Sequence, residues 1–143
     1  MNTKAATAGK VVSIVIAVIV LVTVGIVLIY SANEPIVNVF EDSIQIKGMY
    51  GVTVAFSDIV DVSLLDKSMS EFDVGRRVNG YGGFDVWKGH FQSNSLGETL
   101  LFVHKNSSPT IRIEREGAKD IYLSFSDSEQ TKLLFNELCT AME

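Results

Sequence analysis

Apolar residues follow three different rhythms along this chain. Residues 11–30, from Val11 through Leu21 to Tyr30, carry no charge, and fifteen of these twenty positions are Val, Ile or Leu. As a helix rising about 1.5 Å per residue, the run measures roughly 30 Å, the thickness of a hydrocarbon core. So much β-branching favours a strand in water. In lipid an isolated segment must satisfy its own backbone hydrogen bonds, and it becomes a helix. Burying fifteen such side chains in the bilayer contributes about −4 to −9 kcal/mol. The run predicts a transmembrane anchor over 11–30, preceded by a tail of residues 1–10.

After a polar connector at 31–35 the rhythm changes to period two, the mark of half-buried strands. Strands are expected at 36–40, 44–46, 52–56 and 59–65, the first pair forming a hairpin across Glu41-Asp42-Ser43. Residues 66–84 are rich in charge and glycine without sustained alternation, and predict a long loop. Four further strands follow at 86–92, 99–104, 110–113 and 121–125, separated by segments that carry Gly97, Asn106-Ser107-Ser108-Pro109 and Gly117. The third rhythm is helical. Leu134, Leu138 and Met142, joined by Phe135 and Cys139, form one stripe behind a Ser126-x-x-Glu129 sequence that fits a capping box. Residues 36–143 are thus expected to form one mainly β domain. Its seven or eight antiparallel strands would make a barrel or sandwich closed or capped by a C-terminal helix.

The flanks of the apolar run refine the picture. Lys4 and Lys10 precede it, and no Lys or Arg falls between Ser31 and Asp42. The positive-inside rule then places the N-terminus in the cytoplasm and the domain outside the cell membrane; a cytoplasmic domain is the alternative. A cleaved signal peptide competes with the anchor reading. However, twenty apolar residues exceed the usual h-region, and Tyr30-Ser31-Ala32 puts an aromatic ring where a small residue is wanted. Gly9, Ser13 and Ala17 stand four apart, a small-residue face through which two copies of the helix would approach closely. The part beyond the helix holds ten of the twelve basic residues and all seventeen acids, a net of −7. That balance argues against nucleic acid and against a broad grip on anionic lipid, both of which need clustered positive charge. A single cysteine forms no internal disulfide.

Arg76-Arg77-Val78-Asn79-Gly80-Tyr81-Gly82, followed by Gly89-His90-Phe91, brings in a family. With a long loop after the fourth strand and a terminal helix, this stretch resembles the bacterial pleckstrin-homology (PH-like) domain family. Members of that family often carry R-x-N-G-[FY]-G and then G-x-F entering a strand. Residues 59–65, 101–103 and 121–124 also stand where the family's strands are expected. The resemblance spans essentially residues 36–142. It implies a PH-like β-barrel, often found beside a membrane segment, and carries over no binding residues.

Catalytic constellations are missing. His90 and His104 fall within expected strands, Cys139 lies on the helix, and no H-x-x-x-H, C-x-x-C, G-x-S-x-G or phosphate-binding glycine loop occurs. The acid pairs Glu41/Asp42 and Asp58/Asp61 read as solvated turn and strand residues. No cofactor, metal or catalytic residue is expected. The stretch richest in recognition chemistry is 76–91. Arg76, Arg77, Asn79 and Tyr81 gather donors around glycines, which suits an anion or carboxylate ligand. The plainer alternative pairs Arg77 with Asp61 or Asp66 and makes Asn79-Gly80 a turn. Tyr81, Phe84, Trp87 and Phe91 concentrate aromatic surface, with Trp87 either an interface anchor or a plug and Phe91 a core residue. The chain is expected to be a non-catalytic, membrane-anchored binding or adaptor module for a protein or envelope component. A structural subunit of a membrane complex is the alternative.

Overall fold

The computed structural model describes residues 3–83 and 85–143, and the chain divides between Asn33 and Glu34 into two compact units. The first is helix α1, Thr3–Ala32. Within it, the 23 residues Ala8–Tyr30 are long and apolar enough to cross a membrane. Its large side chains are exposed all round, as suits a helix whose solvent is lipid. Two of its hydroxyls turn back on the helix itself: Ser13 Oγ donates to the Gly9 carbonyl at 3.0 Å, and Thr23 Oγ1 to that of Ile19 at 2.8 Å.

The second unit is mainly β. Strands β1 (Ile36–Val39), β2 (Ser43–Lys47) and β3 (Val52–Ala55) form an antiparallel meander. Strands β4 (Ile59–Leu65), β5 (Arg76–Gly82), β6 (Val86–Ser93), β7 (Gly97–His104), β8 (Thr110–Arg115) and β9 (Asp120–Ser124) form a second sheet in the order β4-β8-β9-β7-β6-β5. Helix α2, Ser128–Ala141, closes the chain.

Three expectations need correction. Among the described residues the domain has nine strands in two sheets, and the sheets do not close into a barrel. The pairing is not wholly antiparallel, because β9 inserts between β8 and β7 and runs parallel to β7, with Leu101 opposite Tyr122. Alternation reports which residues share a face but is blind to the partner strand and its direction. The expected loop at 66–84 contains a strand. β5 pairs antiparallel with β6, and the register shifts between Arg77 and Asn79. Its sequence hides this because no β5 residue is fully buried and the bulge breaks the period of two. Asn79-Gly80 is accordingly strand, not turn.

Alternate residues of the large sheet feed two apolar clusters. Leu100, Phe102, Ile121 and Leu123 point toward the main core, which also takes Ile44, Ile46 and Val54 from the small sheet and Leu134 and Leu138 from α2. Leu101, Val103, Tyr122 and Phe91 belong to the other cluster, covered by Met69 and Val74 from the segment that leads into β5. That segment is tied down by Ser70 N–H, which donates to the Lys105 carbonyl at 2.8 Å. Helix α2 begins one residue later than the expected capping box. Asp127 is the N-cap and accepts from Glu129 N–H at 2.9 Å. Ser126 instead uses its own N–H to reach Glu34 Oε1.

Candidate functional site

The hairpin β5–β6 sits at one edge of the large sheet, and its glycines explain its geometry. Gly80 lies directly opposite Gly89. A Cβ on Gly80 would strike the Lys88 carbonyl, and one on Gly89 would strike the Asn79 carbonyl and approach Gly80 Cα to 2.6 Å. Gly89 also has φ +109°, a conformation open to glycine and strained for other residues. The motif glycines therefore let two backbones touch. Their role is structural at this point of the sheet.

Strand alternation divides the expected site residues into two sets. Arg76 pairs with Gln92, Asn79 with His90 and Tyr81 with Lys88, all on the side of β6 that faces the main core. Arg76 Nη2 donates to Gln92 Oε1 at 3.3 Å. Tyr50 Oη donates to Asn79 Oδ1 at 3.2 Å, and its ring meets His90 edge-on at 6.1 Å. Arg77 is opposite Phe91, and Gly82 opposite Trp87, on the other side. There Trp87 packs beside Phe91 at 6.2 Å, with Lys105 Nζ 6.0 Å from its ring. Phe91 is buried, as expected of a core residue, while Trp87 is half-buried at the rim of the second cluster. Phe84 lies outside the described residues.

This split changes what the residues can do. Arg76 and Arg77 stand on opposite sides of β5, so their guanidinium groups do not converge on one oxyanion. Arg76 also borders a cleft of ≈ 470 Å³ that it shares with Asp73, whose carboxylate opposes anion binding there. Arg77 has no ion-pair partner among the described residues. The expected partner Asp61 lies on β4, the opposite edge strand of the sheet. What β5 does offer is an exposed strand hydrogen-bonded on one side only. It presents Arg76, Arg77 and Val78 to solvent, and Val78 is 57% exposed. An edge of this kind leaves alternate backbone amides and carbonyls free to pair with another chain.

Sequence reading missed a polar seam behind this edge. Lys88, only 3% exposed, points to the main-core side opposite Phe102. Burial lowers its pKa, and the charge of the Glu34 carboxylate works against that. Burial works to raise the pKa of Glu34. The hydrogen bonds from Ser126 and the neighbouring His104 outweigh it and hold the carboxyl below its ordinary value. His104 Nε2 lies 3.1 Å from Glu34 Oε1. His90 is lowered by burial and by Lys119, against the pull of Glu98. The available signal was positional: Lys88 alternates with Val86 and His90, so it shares their inward side. Among the described residues no three His, Cys, Asp or Glu side chains gather as a metal site would require.

A second concavity lies away from β5. A groove of ≈ 1140 Å³ separates the β1–β2 turn from the C-terminal half of α2, lined by Val39, Phe40, Glu41, Asp42, Asn136, Glu137, Thr140 and Ala141.

The fold and its surfaces define a class: a β domain following a helix long enough to span a membrane. Beyond that class, no family model, curated protein or solved structure matches the chain.

Proposed function

We propose that this protein is a membrane-anchored, non-catalytic, PH-like binding module that takes an extended segment of a protein or envelope partner along the β5 edge. The observation that carries the reading is the state of β5. It is unpaired on its outer side, exposed over Arg76–Asn79, and basic in a domain of net negative charge. A partner strand would gain main-chain hydrogen bonds there, and its alternating side chains would meet Arg76 on one face and Arg77 on the other. The PH-like part is supported by a terminal helix packed on the core between two sheets and by the glycine contact within the motif. The open sheets and the parallel β7–β9 pair depart from a closed antiparallel barrel. In this reading α1 anchors the module with its N-terminus in the cytoplasm and the domain outside.

The test is site-specific photo-crosslinking of the full-length protein in its own membranes. A crosslinker replacing Val78 on β5 should give a discrete adduct. The same group replacing Val60, an exposed residue on the opposite edge strand, should not. The adduct should disappear in Arg76→Glu/Arg77→Glu without loss of melting temperature. Equal adducts from both edges, or none from Val78, overturn the proposal. The alternative, a structural subunit held through α1, is favoured by the small-residue face of Gly9, Ser13 and Ala17. It predicts crosslinks from the helix that persist when β5 is altered.

A further inference from the structure

We infer that the groove between the β1–β2 turn and α2 is a second docking surface, and that its occupant is a cationic amphipathic segment of a partner protein. The inference is independent of the β5 edge, since the groove draws on other elements. Val39, Phe40 and Ala141 give it apolar lining, and Phe40 is 49% exposed. An exposed ring that lines a groove suits packing against a partner side chain. Every charged residue that lines it is an acid. Glu41 and Asp42 come from the turn and Glu137 from α2, and no Lys or Arg lines the groove.

Some acids of the domain are paired; those at this rim are not, as among the described residues Asp61, Asp66 and Asp85 are not, and what distinguishes the rim is that its three acids border one concavity. Asp120 and Glu114 are met by Arg112, Glu98 by Lys119, and Glu129 by Lys132. Among the described residues Glu41, Asp42 and Glu137 have no ion-pair partner. Thr140 and Ala141 add the end of α2, where unsatisfied carbonyls carry partial negative charge and no basic residue stands in the last turn. Carboxylates from two elements and a helix C-terminus thus face one apolar concavity. Complementarity then requires positive charge flanking an apolar side chain, the arrangement that a basic amphipathic helix or turn presents. The same rim repels an acidic segment.

The experiment uses the full-length protein in nanodiscs of zwitterionic lipid, with empty discs as the blank. The probe is a fluorescent synthetic peptide of interspersed lysine and leucine, and a glutamate–leucine peptide of the same pattern is its counterpart. The lysine peptide should bind, and binding should weaken steeply with added salt. Glu41→Gln/Asp42→Asn/Glu137→Gln should raise its Kd at least about tenfold, which corresponds to about 1.4 kcal/mol. Phe40→Ser should also weaken it. Asp61→Asn/Asp66→Asn/Asp85→Asn removes the same charge elsewhere and should change Kd by less than about twofold, well under 1 kcal/mol. A photo-crosslinker at Asn136 should capture the peptide whether or not the triple variant folds. Equal weakening by the two triple variants would mean general attraction to an acidic domain and overturns the inference. So does no binding, equal binding of the glutamate peptide, or no capture from Asn136.

Discussion

Replacing Gly89 by alanine tests whether the glycine motif is a packing device. Two costs fall on that residue. Its φ of +109° strains any side chain, at about 1–3 kcal/mol. The new Cβ must also displace β5, because it meets the Asn79 carbonyl and lies 2.6 Å from Gly80 Cα. Backbone yields less readily than the end of a side chain, and overpacking of this kind costs about 1–3 kcal/mol. Gly89→Ala should therefore destabilise the domain by about 2–6 kcal/mol, the sum of those two ranges. Gly97 supplies the control. It also has a positive φ, +71°, but a Cβ there meets nothing within 4 Å, so Gly97→Ala should cost only about 1–2 kcal/mol of backbone strain. Chemical denaturation of the full-length protein in micelles measures the difference, and hydrogen exchange localises it. Gly89→Ala should lose amide protection across β5–β6 first. Equal losses in the two variants would refute a backbone-to-backbone contact at Gly80–Gly89. If the prediction holds, lost partner binding in a motif-glycine variant reports a displaced edge strand, not a missing contact.

The seam gives one further prediction and the helix two. The Glu34 carboxyl is held below the ordinary carboxylate range, so it binds fewer protons folded than unfolded. Its contribution to stability is present above its unfolded pKa and is lost as pH falls through the folded value. The stability difference between wild type and Glu34→Gln, read by denaturation, should thus be full at neutral pH and vanish in strong acid. A difference independent of pH would refute the charge-based account. Mass spectrometry of the membrane-extracted protein should find α1 retained, and a reporter fused after Glu143 should be active only outside the cytoplasm. A mature chain starting near Ala32 would overturn the anchor, and cytoplasmic reporter activity would reverse the topology.

How much of this was legible in the sequence depends on what each residue faces. Strands β1–β4 and β6–β9 could be read because their alternate residues enter one of the two clusters. The stripe of α2 was visible because Leu134 and Leu138 both enter the main core. β5 could not be read, because exposure and a bulge erase the period that betrays a strand. For the same reason Arg76 and Arg77 looked like one cluster in sequence and stand on opposite sides of a strand. The acidic groove was invisible, since Phe40 and Thr140 are a hundred residues apart and nothing local marks them as neighbours.

The amino-acid sequence by itself determined the helix α1, most of the strands and the presence of α2. Those elements depend on local pattern, and α1 on an apolar run long enough to cross a membrane, which in lipid has one hydrogen-bonded solution. Only the tertiary structure decided the division into two sheets, the parallel pairing of β7 with β9, the burial of Lys88 and the exposure of β5 as an edge. Each is a relation between segments distant in sequence, set by which arrangement of strands buries the most apolar surface while keeping backbone groups paired.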